Sequence, residues 1–195
     1  MVIVMNIVPT VIDKQNGVEK YYDIFSMLLK ERIIMISGEI NSEMSSIVIA
    51  ELLYLYNQDS NKAIQIYINS PGGEVNAGLA IFDTMRYLKC DIHTICVGMC
   101  ASMAAILLAA GTKGKRSSLP NGQIMIHQPM GGVSGQVSDV DIVAKKLVQM
   151  KKKLNKILSN LTSQTIQKIE KDTDRDNYMD ADEAVKYGLI DYVVS

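Results

Sequence analysis

The sequence predicts an α/β fold in which strands pair in parallel and helices connect them. Two successive units carry the pattern, first over residues 64–88 and then over 92–110. Each unit is an apolar strand, a short turn and a helix. Strands that alternate with helices are typical of a parallel sheet, because the crossover returns the chain to the same edge. A long helical segment at 139–161 follows these two units.

The remaining elements follow from the same periodicities and from turn residues. Residues 1–20 are a predicted arm with a polar turn at 13–17, and residues 21–195 are predicted to form one domain. We expect strands at 33–37, 64–69, 92–98, 122–126 and 190–194, and helices at 43–56, 76–88, 102–110, 139–161, 164–171 and 181–187.

The composition excludes several classes of partner. The net charge is −1, which gives no basic footprint for nucleic acid or for an anionic membrane. No apolar run reaches the roughly 18–20 residues of a membrane span, and the first residues lack the features of a secretory signal. An odd number of cysteines, three, indicates reduced thiols. We therefore expect a cytoplasmic protein with no membrane or nucleic acid partner.

The long helix at 139–161 has a narrow apolar stripe. Its spacing of three and four residues is a heptad seam, formed by Val140, Val143, Leu147, Met150, Leu154, Ile157 and Leu161. One interpretation is a helix that projects from the domain and packs against another subunit. The other is a surface helix packed on its own core, and the residues alone favour that second interpretation.

Ser102 stands where a predicted strand turns into a predicted helix. The strand-like run at 92–97 precedes it and the small apolar run at 104–110 follows it. This is the context of a nucleophile elbow. A helix N-terminus also favours negative charge, because its N–H groups are unpaired. Cys100 is a rival nucleophile, expected in the turn, for which we favour a small packing role.

A serine nucleophile needs a base, and the chain has only two histidines. His93 lies inside the predicted strand and is interpreted as structural. His127 ends a strand before Gln128 and Pro129, which is a suitable place for an exposed catalytic side chain. A surface histidine without a catalytic role is the alternative.

Gly72 and Gly73 follow a proline and can bring backbone N–H groups close to a ligand. The N–H groups of Gly73 and Met103 could form an oxyanion hole. A plain β-turn is the alternative. No run has the spacing of a phosphate-binding loop, so no nucleotide site is expected.

With these residues identified, the chain resembles the proteolytic subunit of the Clp protease, the ClpP family, from about residue 7 to the end. The resemblance rests on YINSPGG at 67–73, the elbow at 101–103, AAGTKGKR at 109–116, MIHQP at 125–129 and DTDRD at 172–176. Two positions depart from the common pattern, Ala104 in place of Gly and Cys100 in place of Ala or Ser. Both are small, so the elbow is expected to survive.

The resemblance implies a crotonase-like fold of repeated ββα units with a protruding handle at about 130–161. It implies Ser102 as nucleophile, His127 as base and Asp176 as orienting carboxylate. It also implies oxyanion donors at Gly73 and Met103. The arm at 1–20 would be an axial loop, with residues 1–5 a short pro-segment, and the strand at 131–133 would bind extended substrate.

The family also implies partners. Two stacked heptameric rings would form a tetradecamer through the handles, with Asp174 and Arg175 at the ring–ring contact. An AAA+ unfoldase of the ClpX, ClpA or ClpC type would dock near Tyr67 and use the ATP, so this chain needs no cofactor and no metal. Unfolded proteins would be its substrates, and a paralogous ClpP subunit is a further partner to consider. The alternative function is a structural subunit of mixed rings with little activity.

Overall fold

A seven-stranded sheet forms the centre of the fold in the computed structural model, which describes residues 8–15 and 18–194. Its strands are β3 (Ile33–Ser37), β4 (Ile64–Ser70), β5 (Ile92–Ala101), β6 (Arg116–Ser118), β7 (Gln123–Ile126), β8 (Asn177–Met179) and β9 (Tyr192–Val193). The strand order is β3-β4-β5-β6-β9, and β7 pairs with both β5 and β8. All pairs except β7–β8 are parallel, so the predicted α/β class is confirmed.

Helices connect and cover these strands. They are α1 (Ile24–Lys30), α2 (Ser42–Gln58), α3 (Val75–Tyr87), α4 (Met103–Ala109), α5 (Val137–Thr162), α6 (Ile166–Asp172) and α7 (Ala181–Tyr187). Every residue of α4 is buried. This is possible because α4 is built only from alanine, leucine, isoleucine and methionine. Among the described residues, no helix is both long and apolar enough to cross a membrane.

The N-terminal arm is a β-hairpin where the sequence predicted only a polar turn. β1 (Thr10–Gln15) and β2 (Val18–Asp23) pair antiparallel, with Thr10 opposite Asp23. The hairpin is a sheet of its own. Part of the predicted turn, at 16–17, and the predicted pro-segment at 1–5 lie outside the described residues.

Strand β5 runs three residues further than predicted and divides the sheet. Its first half pairs with β6 and its last three residues, Met99 to Ala101, pair with β7. Between these halves the register against β4 shifts, and Gly98 adopts a positive φ of 88°. The prediction that Cys100 lies in a turn is therefore wrong, because ladder pairing with β7 and β4 continues through it.

The heptad seam of α5 packs partly on its own chain. Leu154 is buried, and Met150, Ile157 and Leu161 pack against the core cluster. This agrees with the interpretation favoured by the residues alone for this half of the helix. The apolar side chains that α5 exposes lie off the seam, at Val137, Ile142 and Val148.

The predicted handle strand at 131–133 is not a strand in this chain. Within residues 8–15 and 18–194, no strand or bridge pairs with this segment. Two short strands, β6 and β8, and helix α1 were missed. Strands of three residues are too short to show periodicity, and β8 lies in a polar stretch.

Candidate active site

The chain reverses direction at Ser102, between the end of β5 and the start of α4. Ser102 has a φ of 56° and a ψ of −121°, a conformation that few residues with side chains adopt. Its N–H donates to the carbonyl of Met125 at 2.8 Å, which fixes the junction to β7. The hydroxyl is left half-buried at the carboxyl end of the parallel strands, where α/β folds place their sites.

The antiparallel register of β7 and β8 brings the histidine to the carboxylate. Ile126, the last residue of β7, pairs with Asn177, the first residue of β8. His127 follows this pair and Asp176 precedes it, so the two lie side by side. These residues are separated by 49 positions in the sequence. The pairing of β8 with β7 thus places Asp176, among all the acidic residues, beside His127. Apart from the family motif at 172–176, no local pattern indicates it.

Ser102, His127 and Asp176 form a hydrogen-bonded chain. His127 Nε2 lies 2.9 Å from Ser102 Oγ, and His127 Nδ1 lies 2.9 Å from Asp176 Oδ1. A carboxylate only accepts hydrogen bonds, so this geometry assigns the proton to Nδ1 and leaves Nε2 to accept from the serine hydroxyl. The imidazole is only 10% exposed, whereas the Asp176 side chain is 55% exposed.

The turn with Gly72 and Gly73 lies directly against the elbow. A Cβ added at Gly72 would stand 2.7 Å from Ser102 Cβ and 3.1 Å from Met103 N. Within the described residues, the N–H groups of Gly73 and Met103 have no backbone acceptor outside regular helix or strand ladders. The two predicted oxyanion donors therefore belong to backbone segments in contact with each other and with Ser102. Gly72, for which the sequence suggested no separate role, is what permits this approach.

Cys100 and His93 take no part in this hydrogen-bonded chain. Cys100 is wholly buried, and its thiol lies 3.5 Å from the carbonyl oxygen of Ile68. Burial raises the pKa of the Cys100 thiol well above its ordinary value, which disfavours the nucleophilic thiolate. His93 lies within β5, distant in register from the elbow.

Three predicted site residues lie outside the triad, Tyr67 on β4 and Asp174 and Arg175 in the segment just before Asp176. Tyr67 is half-buried on β4, facing away from the side on which Ile66 and Ile68 are buried. Asp174 contacts its own chain, with Oδ1 3.7 Å from Lys151 Nζ. Arg175 is exposed and donates to the carbonyl of Asp174 at 3.3 Å. Among the described residues, no cluster of side chains is suited to hold a metal ion.

An α/β fold that presents a linked serine, histidine and aspartate at a strand-to-helix junction is characteristic of the serine hydrolases. Within that class, the Clp protease family matches residues 15–195, so the chain belongs to the Clp protease family. The predicted family is thus confirmed, and the parallel sheet of βα units with its long helix agrees with the crotonase-like ClpP fold.

Proposed function

We propose that this protein is a serine endopeptidase, the proteolytic chamber subunit of a Clp-type ATP-dependent protease, which cleaves unfolded proteins to short peptides. The observation that carries the proposal is the continuous chain from Ser102 Oγ through His127 to Asp176, with both links at 2.9 Å. The alternative, a structural subunit, has no need of three such residues held in hydrogen-bonding contact.

The geometry supports acyl transfer in two halves. His127 Nε2 takes the proton of Ser102 as Oγ attacks the peptide carbonyl, and the resulting imidazolium then protonates the leaving amine. Water repeats the sequence on the acyl-enzyme, which releases the acid product and restores the serine hydroxyl. Asp176 orients the imidazole and stabilises its cation. The N–H groups of Gly73 and Met103 would bind the oxyanion, and losing one such donor typically costs on the order of 10²–10³ in rate.

Assembly and partners belong to the same proposal. Family membership supports a homo-tetradecamer of two stacked heptameric rings in the cytoplasm, fed by an AAA+ unfoldase of the ClpX, ClpA or ClpC type that hydrolyses the ATP. Tyr67 would contribute to unfoldase docking, and Asp174 and Arg175 to the ring–ring contact. The segment at 131–133, which pairs with no strand among the described residues, would bind an extended substrate as an added strand.

A peptidase assay on Ser102→Ala tests the function. We expect hydrolysis of a fluorogenic peptide to be abolished with folding and assembly intact, because only a hydroxyl is removed. Cys100→Ser is the matched control, and it should keep most of its activity because the thiol is buried away from the imidazole. Loss of cleavage in the Cys100 variant together with full activity in the Ser102 variant would overturn the assignment.

A further inference from the structure

Gln128, the residue after His127, is bonded twice to the segment that carries Asp176. Its backbone N–H donates to the carbonyl of Thr173 at 2.6 Å. Its side-chain Nε2 donates to the carbonyl of Asp174 at 2.7 Å and lies 3.5 Å from the Oδ1 atom of the same residue. These bonds span 45 and 46 positions of sequence and end two residues before the carboxylate.

The far side of this segment is fixed at Thr173. Thr173 is wholly buried, and both its N–H and its hydroxyl donate to the carbonyl of Ile169, at 2.9 and 2.7 Å. Its hydroxyl also lies 3.4 Å from Oδ1 of Asn155, a buried residue of α5. Thr173 therefore anchors the segment to the core through α6, but it restrains neither Asp174 nor Asp176 directly.

Asp176 itself has little to hold it. Its side chain is 55% exposed, and the hydrogen-bond partner that the described residues offer it is His127. A carboxylate held by one bond at an exposed site readily turns to solvent, so its direction depends on the backbone of residues 174–176. The contact of Lys151 with Asp174, at 3.7 Å between partly exposed groups, adds little.

We propose that Gln128 is a positioning residue, whose side-chain amide fixes the backbone at Asp174 and thereby aims Asp176 at His127. Because Gln128 adjoins His127, the same residue restrains both members of the histidine–carboxylate pair. This role rests on the proposed peptidase function. It assigns to Gln128 no contact with substrate.

Gln128→Met tests the role, since methionine has a similar length and flexibility but no N–H donor. Displacement by about 1 Å can cost roughly 10²-fold in rate. We therefore expect kcat to fall between about 10-fold and 100-fold with KM unchanged. The rate at which a fluorophosphonate labels Ser102 should fall in parallel, because it reports activation of the serine without peptide binding. If Gln128→Met fails to assemble, Gln128→Asn replaces it in the test. Asparagine keeps an N–H donor, but its side chain is too short to reach the Asp174 carbonyl, so we expect the same fall in kcat and in labelling rate.

Gln164→Met is the matched control. Gln164 is also half-buried, and its Nε2 donates to the carbonyl of Tyr187 at 2.9 Å, away from the triad. For Gln164→Met we expect a loss of thermal stability similar to that of Gln128→Met, whereas kcat and the labelling rate of Ser102 should be unchanged. Undiminished kcat in Gln128→Met, a rise in KM alone, or an equal loss of kcat in both variants would overturn the role. A wild-type particle that neither hydrolyses peptide nor reacts with the probe would instead overturn the proposed function, and this role with it.

Discussion

Gly72 is a residue at which the turn beside the elbow has no room for an added atom. Its φ is 93°, and a Cβ there would approach the Ala101 carbonyl oxygen and Ser102 Cβ to 2.7 Å, closer than real Cβ atoms come. Neither the carbonyl oxygen nor the Cβ can move aside as the end of a flexible side chain can. The positive φ and the close approach therefore both require glycine.

Gly72→Ala should consequently impair the peptidase by displacing the turn from the elbow. We expect activity to fall by about 10²-fold or more, the scale seen when one oxyanion donor is lost. Gly38→Ala is a matched control, because Gly38 has a φ of 85° with no atom near the added Cβ. Peptide hydrolysis and thermal unfolding of both variants check the prediction. Wild-type activity of Gly72→Ala would contradict the prediction. An equal loss of activity in both variants would show that backbone strain, and not the contact with Ser102, accounts for the effect.

Single residues were predictable where the signal is local. Ser102 and His127 followed from a strand-to-helix junction and a strand end. Asp176 came only through the family resemblance, because its position depends on the pairing of β7 with β8. The bonds of Gln128 were not predictable either, since a side-chain amide gives no indication of a backbone carbonyl 46 positions away.

Among the elements, β6 is joined to the residue before β9 by a largely buried ion pair. Arg116 is 4% exposed and forms a two-pronged contact with Asp191, with Nε 2.9 Å from Oδ2 and Nη2 2.6 Å from Oδ1. Its Nη1 donates to the carbonyls of Ala109 at 3.3 Å and Leu161 at 3.0 Å, so the ends of α4 and α5 meet at the same guanidinium. Arg116 therefore links β6, the residue before β9 and the ends of α4 and α5.

Burial disfavours the charged form of Asp191, but hydrogen bonds from Arg116 and from the Gly114 N–H outweigh it and hold the pKa of Asp191 below its ordinary value of 3.8. A lowered pKa in the folded state means that the stabilisation is present above pH 3.8 and is lost as the pH falls through the lower, folded value.

Asp191→Asn should therefore destabilise the fold by about 3 kcal/mol at neutral pH, since it leaves Arg116 buried without a counter-charge. The difference from wild type should persist down to about pH 4 and narrow below it, in thermal unfolding followed by circular dichroism at several pH values. The control is Asp141→Asn, which breaks an exposed pair with Lys145 and should have almost no effect. A difference from wild type that disappeared between pH 7 and 5 would contradict the assignment.

Helices and long strands were predictable because their periodicity is strong. The prediction placed α7 and β3 at the bounds that the structure has, and α2 and α5 within two residues at each end. The strand expected at 131–133 from the resemblance does not form in one chain, because a strand needs a neighbour and the described residues offer none there. Whether the α5 seam packs on its own core or on another subunit also depends on tertiary packing, which a spacing of three and four residues does not specify.

For the whole molecule, the apolar side chains left exposed on α5 and before it fit the proposed assembly. Met130 is 81% exposed, Val137 is 87% and Ile142 is 63%. A two-ring particle that stacks through its handles would cover such residues. The exposed Arg175 lies one position before Asp176.

Arg175→Ala should couple loss of assembly to loss of activity. If Arg175 contributes to the ring–ring contact, its removal shifts the particle toward single rings and lets the segment with Asp176 relax. Peptidase activity then falls, by up to about 10⁴-fold if the orienting carboxylate is lost completely. Size-exclusion chromatography with light scattering, run beside a peptide assay, measures both effects. Lys171→Ala removes an exposed positive charge from the same region and should leave both unchanged, whereas a stable, fully active double ring of Arg175→Ala would contradict the coupling.

The backbone conformation of Ser102 has a consequence for how this position can change in evolution. A non-glycine residue with a φ of 56° and a ψ of −121° carries strain of order 1–3 kcal/mol, which glycine would escape. Replacement of Ser102 by glycine would thus make the fold more stable while it removes the hydroxyl. A lineage in which cleavage had ceased to matter would drift toward glycine at this position, and stability alone would oppose its return. Serine retained here is what selection for hydrolysis would maintain.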